Sequence, residues 1–344
     1  MTHASKTIFG LAALTLFSAG ALTACSTKTA EADKAQDPLT MVFYPNESAK
    51  SFAGSRDELK RLLEKATGRT VKLQTTTDYN VAIQSLASGK AQIAFMGASG
   101  YIHAHALNDK VQPIAAISGP KGTLEGAAYN SYLMVPSAKA AQYKVGDSYS
   151  LDKLKDARFS FVSNTSTSGF VVPAAAIVKH FKLKDTHSLE KSGDFFSKVL
   201  YGGSHQGSAV NLMKGDVDVA AFDDVDLRPY LEVTKGDYNT AGSEFTVKKD
   251  APEPFQGLAG KKATAISVLP VQREPWVLNT EKLDKATQAK IKDLLLTKEF
   301  ADDEKLFSKP DAKTPMLFVK STPETRLVAV DDAWYKPTHE LIGK

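Results

Sequence analysis

The residues best placed to do chemistry are six short polar ones in a row, Ser163-Asn164-Thr165-Ser166-Thr167-Ser168, closed by Gly169. They lie between an apolar strand pattern, Phe159-Ser160-Phe161-Val162, and an apolar run that reads as a helix from about Phe170 to Phe181. The N–H groups of a helix's first turn lack partners inside the helix. The helix dipole adds partial positive charge at the same point, and together these make a seat for an oxyanion. Ser166, Thr167 and Ser168 can donate three hydroxyl hydrogen bonds to such an anion, and Gly169 lets backbone come close. No charged side chain is required, which suits reversible binding. The alternative is that these hydroxyls only cap the helix.

The elements that must hold this loop follow an α/β rhythm of short apolar strands and amphipathic helices. Strands are expected at 40–44, 71–73, 92–96, 113–117 and 131–135, then at 158–162, 198–201, 217–222 and 263–269. Ser55-x-x-Glu58 reads as a capping box for a helix carrying Leu59, Leu62 and Leu63, which Gly68 stops. Further helices are expected at 79–88, 204–214, 281–296 and 324–334. The stretch from Lys235 to Lys262 is rich in Gly, Lys and Pro and reads as a long excursion. Hinge strands are expected near Val135-Pro136 and Ile266–Leu269. The two halves share a layout of strand, polar loop and helix without a repeat of fixed period.

The N-terminus has the order of a secretory signal: Lys6, an apolar stretch from Ile8 to Phe17, then small residues up to Ala24. The apolar core is shorter than the roughly 20 residues a spanning helix needs. Cys25 is the sole cysteine, so no intramolecular disulfide can form. Its frame, Leu22-Thr23-Ala24-Cys25, resembles the bacterial lipobox, which implies a lipidated Cys25 anchoring the chain to a membrane. The segment after it, Ser26 to Asp37, has almost nothing to bury and reads as a tether. About 300 residues remain, near the limit for one core, so two lobes are expected. The charge balance, 43 Lys+Arg against 39 Asp+Glu, gives no argument for nucleic acid.

Asn164-Thr165-Ser166-Thr167-Ser168-Gly169-Phe170-x-Val172-Pro173 resembles the signature of the phosphonate/phosphite/phosphate substrate-binding proteins of ABC transporters. Other blocks are similar in the same order: Asp78-Tyr79, Gly89-Lys90-Ala91-Gln92-Ile93-Ala94, Tyr129 to Val135, Gly203-Ser204-His205-Gln206 and Gly215-Asp216-Val217-Asp218-Val219-Ala220. The resemblance implies a two-lobed, type II periplasmic-binding-protein-like α/β fold with the ligand cleft between the lobes. Residues 1–24 would be a signal peptide and 25–37 lipidated cysteine and tether. Residues 38–134 plus 268–344 would form lobe 1, and 135–267 lobe 2. Ser166, Thr167 and Ser168 would bind the phosphoryl oxygens, Tyr79 and Tyr129 would reach over from the other lobe and donate through their phenols, and His205 would donate from a second helix. Asp223, Asp226 and Glu274 stand where some relatives recognise a ligand amine, and Tyr101 is a further candidate for the cleft. Each has a plainer role open to it: packing for the tyrosines, helix capping for His205, capping or a solvated face for Asp223.

The function implied is an extracytoplasmic substrate-binding lipoprotein, held at the cell membrane by Cys25. It would be monomeric, deliver a small phosphorus oxyanion to a permease and need no cofactor. A surface sensor feeding a signalling receptor would share the binding fold. An extracytoplasmic hydrolase has less support. There is no Gly-x-Ser-x-Gly elbow and no Walker loop, and Ser168, His205 and Asp223 can be written as a triad without any local spacing behind it. His103 and His105 fall two apart, on different faces of a helix, and read as surface residues rather than metal ligands.

Overall fold

The computed structural model describes residues 37–46, 52–309, 312 and 316–343. Cys25, the signal segment and nearly all of the expected tether lie outside them. Two mixed sheets organise the chain. The first runs in the order β17 (Leu327–Ala329), β4 (Val111–Ile117), β14 (Pro275–Asn279), β3 (Ile93–Phe95), β1 (Leu39–Phe43) and β2 (Val71–Thr75). The second runs β11 (Leu231–Lys235), β12 (Glu244–Val247), β13 (Lys262–Gln272), β5 (Ala128–Pro136), β10 (Val219–Asp223), β8 (Arg158–Phe161) and β9 (Lys198–Tyr201). Two small pairs complete the strands: β6 (Lys144–Val145) with β7 (Ser148–Tyr149), and β15 (Phe307–Ser308) with β16 (Phe318–Val319).

The sheets share a plan. In each, the strand met first on the parallel side is flanked by the two that follow it: β1 lies between β2 and β3, and β8 between β9 and β10, all parallel. A strand arriving from elsewhere in the chain then pairs antiparallel, β14 on β3 and β5 on β10. Such central strands are buried on both faces and therefore read as continuous apolar runs; β10 and β14 are buried at all five positions.

Helices cover both faces of the first sheet. On one side α1 (Ala53–Thr67) and α6 (Lys285–Leu296) pack together over Leu59, Leu63, Ile291 and Leu295. On the other lie α2 (Tyr79–Ala87), α3 (Ala98–Leu107) and the C-terminal α8 (Lys336–Ile342), over Ile83, Leu86, Ile102 and Tyr335. The short α7 (Lys298–Ala301) adds Phe300 to the first of these cores. In the second sheet α4 (Val172–Phe181) and α5 (His205–Lys214) take separate cores on opposite faces.

Several expectations differ from what forms. The boundaries expected at 134/135 and 267/268 fall inside β5 and β13, which belong wholly to the second sheet. Val135 and Pro136 pair there with Thr264 and Ala263. The chain passes between the sheets at 118–127 and 273–274 instead. The 235–262 stretch is no excursion: it contains β12, which pairs with both β11 and β13, and it sends Phe245, Val247, Phe255 and Leu258 into the core. Helix α1 begins at Ala53, so Ser55 and Glu58 lie within it. Glu58 bonds Arg61, which holds its carboxyl down at about 2, and Ser55 Oγ donates to Met316 Sδ at 3.3 Å. The helix expected at 324–334 is the edge strand β17, then a helical turn at Asp332–Tyr335 before α8. Three residues of strand are too few for periodicity to register.

Candidate functional site

The carboxyl ends of the parallel strands in both sheets meet around one small cavity of about 40 Å³. From the first sheet, the chain after β1 supplies Tyr44 and Asn46, that after β2 supplies Tyr79, and that after β3 supplies Met96 and Gly97. From the second, the loop after β8 supplies Ser166, Thr167 and Ser168, the turn after β9 leads to His205, and the end of β10 gives Asp223 and Asp226. Tyr129 comes from the start of β5, in the same sheet as the hydroxyl loop and not from the opposite side as expected, and Arg273 and Glu274 come from the crossing between β13 and β14. This is where open α/β sheets place ligands.

The hydroxyl loop is built as its sequence suggests, with one variation. A wide helical turn at Thr167–Val171 precedes α4. Ser166 caps it, its Oγ accepting from the Gly169 N–H at 3.0 Å. Capping and ligand donation are therefore compatible, because a hydroxyl that accepts through one lone pair keeps its proton to give. Ser168 Oγ accepts from the Tyr129 hydroxyl at 3.2 Å, and Ser131 Oγ donates to the Ser168 carbonyl at 2.6 Å. Thr167 Oγ1 accepts from the Ser99 N–H at 2.9 Å, which ties the second sheet's loop to the first turn of α3 on the other sheet. A side chain at Gly97 would put its Cβ 2.7 Å from that same oxygen, so glycine is needed for this approach.

His205 is the most closely defined donor. Ser204 caps α5, accepting from the Gly207 N–H at 3.0 Å, and so sets the first turn. The imidazole Nδ1 accepts from the Asp223 N–H at 3.0 Å. The ring is thus neutral and carries its proton on Nε2, 3.5 Å from Ser168 Oγ and 3.6 Å from Asp223 Oδ2. Burial pushes its pKa down to about 3, in agreement with that state. Two consequences follow. Ser168, His205 and Asp223 do come together, but not as a catalytic triad, because the ring offers Ser168 a proton instead of a lone pair and the carboxylate does not orient Nδ1. One donor atom each from His205, Asp223 and Asp226 also lie within 4.8 Å of one another. Yet a ring whose cavity-facing nitrogen is protonated has no lone pair for a cation.

Tyr79 is buried, stacked on Tyr44 with ring centroids 3.9 Å apart, and its hydroxyl accepts from Asn46 Nδ2 at 2.8 Å. Asn46 was not singled out by sequence. It also bridges to the other sheet, its Oδ1 accepting from the His205 N–H at 3.2 Å and its carbonyl from Gln206 Nε2 at 3.3 Å. Arg273 was missed too. Among the described residues lining the cavity it is the cation, and its buried Nε has no hydrogen-bond partner among them. The available signal was its position beside Glu274 at the return crossing.

Tyr129 stays a phenol, since burial raises its pKa well above the ordinary value. Asp226 is raised well above the carboxylate range by burial and then by the charges of Asp223 and Glu274. Burial raises Glu274 as well, against the opposing pull of Arg273. Tyr101 lies elsewhere: it is buried against Tyr335, and its hydroxyl donates to Asp332. On α3 it points away from the cavity that Gly97 borders. His105 is half-buried, its Nδ1 2.8 Å from the Val111 carbonyl.

Residues 41–335 match the family described as the periplasmic substrate-binding protein of phosphonate ABC transporters. The chain belongs to this family. A curated relative from Mycolicibacterium smegmatis, the phosphate-import protein PhnD, is 28% identical over 218 residues, covering 62% of this chain. The match spans 63% of that relative's length. Among solved structures, a binding protein component of an ABC phosphonate transporter from Pseudomonas aeruginosa superposes with a TM-score of 0.62 at 18% identity, covering 89% of this chain and 86% of that one. PhnD1 from Prochlorococcus marinus, solved in complex with methylphosphonate, gives 0.61 at 16% identity, covering 88% and 96%. At these identities the likeness is one of fold, the two-lobed architecture of periplasmic binding proteins, in which the two sheets described above are the cores of the lobes. Among the described residues no helix is long and apolar enough to cross a membrane.

Proposed function

We propose that this chain is the extracytoplasmic binding component of an ABC importer and that its ligand is a small phosphorus oxyanion, such as a phosphonate, phosphite or phosphate. The observation that carries this reading is the cavity itself, walled by hydroxyl, phenol, imidazole N–H and guanidinium donors from both lobes. Its size limits the ligand. About 40 Å³ is the room of roughly three waters, at 10–15 Å³ each. That suits a compact tetrahedral anion and leaves out sugars, peptides and nucleotides.

In this reading Ser166, Thr167 and Ser168 hold the phosphoryl oxygens from one lobe, with His205 Nε2–H and Tyr129 beside them, and Tyr79 closes from the other. Arg273 supplies the positive charge that the hydroxyl loop lacks. The lobes, residues 38–127 plus 273–343 and residues 128–272, hinge at the two crossings, so that closure excludes water and strengthens each hydrogen bond to the anion. Cys25 carries the lipid anchor, and the closed form docks on a membrane permease. The names of the relatives, a phosphate importer and a methylphosphonate complex, support this ligand class.

Calorimetric titration with methylphosphonate, phosphite, hypophosphite and phosphate tests the reading. At least one should bind one to one, remain chemically unchanged, and raise the melting temperature, since ligand at 100 times Kd adds about 2.7 kcal/mol of stability. If none of them releases heat or shifts melting, the ligand class is wrong.

A further inference from the structure

Arg273 has two places at once. Its side chain lines the ligand cavity, and its backbone lies in the return crossing between the lobes. A planar guanidinium fork grips an oxyanion only when it is aimed at it. Little at its own end aims this one. Its Nε is buried without a hydrogen-bond partner among the described residues, and its guanidinium carbon is 5.9 Å from the Tyr129 ring centroid, at the outer limit of a cation–π contact. The direction of the side chain is therefore set largely from its backbone.

That backbone is held by the C-terminal part of the chain. The two crossings run side by side here: Gln272 pairs with Ala128, and the Arg273 N–H donates to the Ala127 carbonyl at 3.4 Å. The turn at Asp332–Tyr335 and helix α8 lie against them. The Tyr335 hydroxyl donates to the Arg273 carbonyl at 3.1 Å. Beside it the Gln272 amide is engaged at both ends, Nε2 donating to the Trp334 carbonyl at 2.7 Å and Oε1 accepting from the Thr338 hydroxyl at 2.7 Å. Tyr335 is itself fixed: it is fully buried, with its ring centroid 5.5 Å from that of Tyr101. Burial raises its pKa well above the ordinary value, so the hydroxyl keeps the proton it donates. The turn is tied to α3, because Asp332 accepts from the Tyr101 hydroxyl and lies 2.8 Å from His339 Nε2. Ile342, at the end of α8, packs against a core of each lobe.

We propose that the segment from Asp331 to Ile342 is a strap across the return crossing, and that Tyr335 is a positioning residue that aims Arg273 at the ligand without touching the ligand itself. This rests on the reading above, in which Arg273 supplies positive charge to a phosphorus oxyanion, and adds what holds that charge in place. Gln272 is the last residue of one lobe and Arg273 the first of the other, so the strap's bonds cross the hinge. Opening changes φ and ψ at such residues. The bonds from Tyr335, Trp334 and Thr338 therefore favour the one backbone conformation in which the guanidinium faces the cavity.

The test is calorimetry on the full chain in detergent, with methylphosphonate, phosphite and phosphate, in two backgrounds: wild type and Arg273→Lys. An ammonium on a flexible stem finds an anion without a fixed aim, so lysine should make the strap dispensable. Tyr335→Phe keeps the buried ring and removes only the hydroxyl. With arginine at 273 it should weaken binding about fivefold, the worth of one ordinary hydrogen bond. With lysine there the loss should be under about twofold. Thr338→Val, which removes one of the Gln272 bonds, should show the same pattern more weakly, and it decides the matter if Tyr335→Phe does not fold. Equal losses in both backgrounds would mean that the hydroxyl supports the fold and not the aim of the guanidinium, and would overturn the inference. So would unchanged affinity in both. Either result leaves the phosphorus-oxyanion reading standing, whereas a wild type that binds none of the three ligands defeats that reading and this inference with it.

Discussion

His205 shows how much one backbone contact can decide. With Nδ1 tied to the Asp223 N–H, protonating the ring means breaking that bond inside a buried cavity. The folded pKa, about 3, lies below the ordinary 6.5. Between those values the unfolded chain binds more protons than the folded one, so stability rises with pH across the window and is lost on acidification. Melting temperature should therefore fall as pH drops from 6.5 toward 3, and His205→Gln should flatten that part of the curve. The hydroxyl loop carries a separate prediction. Replacing Ser166 and Ser168 together by Ala removes two donors to a charged ligand, each contributing about 1.5–3 kcal/mol, so affinity should drop about 100-fold or more by calorimetry. Ser166→Ala alone should also cost about 1 kcal/mol of folding stability through the lost cap. This loop was legible in sequence because its donors are contiguous and their function is set by a single helix end. Asn46 and Arg273 were not, because each is an isolated residue whose role exists only once the sheets come together. Tyr101 misled for a related reason: following a Gly-rich turn says nothing about which side of α3 it takes.

The first turn of α3 is where one element meets the other lobe. Gly97 has φ −60° and ψ 150°, a conformation open to any residue, so glycine is not required there by its own backbone. It is required by Thr167 Oγ1, which would lie only 2.7 Å from a Cβ at this position and accepts from the Ser99 N–H. Gly97→Ala should thus leave the ligand-free protein as stable as before or up to about 1 kcal/mol more so, through a less flexible unfolded chain. It should still weaken ligand binding, because the lobes can no longer approach. Paired melting curves with and without methylphosphonate check this: an equal ligand-induced shift in variant and wild type would mean the contact does not matter for closure. Element by element, the buried parallel strands were plain in the sequence because their apolar runs are continuous. The 235–262 stretch was obscure because its strand β12 alternates, EFTV, and its apolar residues are separated by the glycines and prolines of loops. Glu58 imitated a capping residue, whereas its partners are Arg61 and Lys305, the second from a segment far along the chain.

For the molecule as a whole, the shared sheet plan has a mechanical consequence. Each lobe is a sheet covered on both faces, and two chain crossings, 118–127 and 273–274, connect them. Around the cavity the lobes are tied by Thr167 with Ser99 and by Asn46 with His205 and Gln206, and beside the return crossing by Gln272 with Trp334 and Thr338. Two rigid bodies joined by two short crossings and held by a handful of hydrogen bonds should open when the cavity is empty and close when an anion bridges them. The apolar cores of the lobes are largely distinct clusters, meeting where Val162 joins the first lobe's core and where Ile342 packs against a core of each, so opening uncovers apolar surface mainly at these two places. Small-angle scattering should accordingly give a larger radius of gyration without ligand than with saturating methylphosphonate. Asn46→Ala together with Thr167→Ala should enlarge the ligand-free form or leave it open, and should reduce the compaction that ligand produces. Because both substitutions lie at the lobe interface and not in either core, the urea midpoint of the ligand-free protein should change little. Identical scattering with and without a ligand that calorimetry shows to be bound would mean the lobes do not hinge at these crossings.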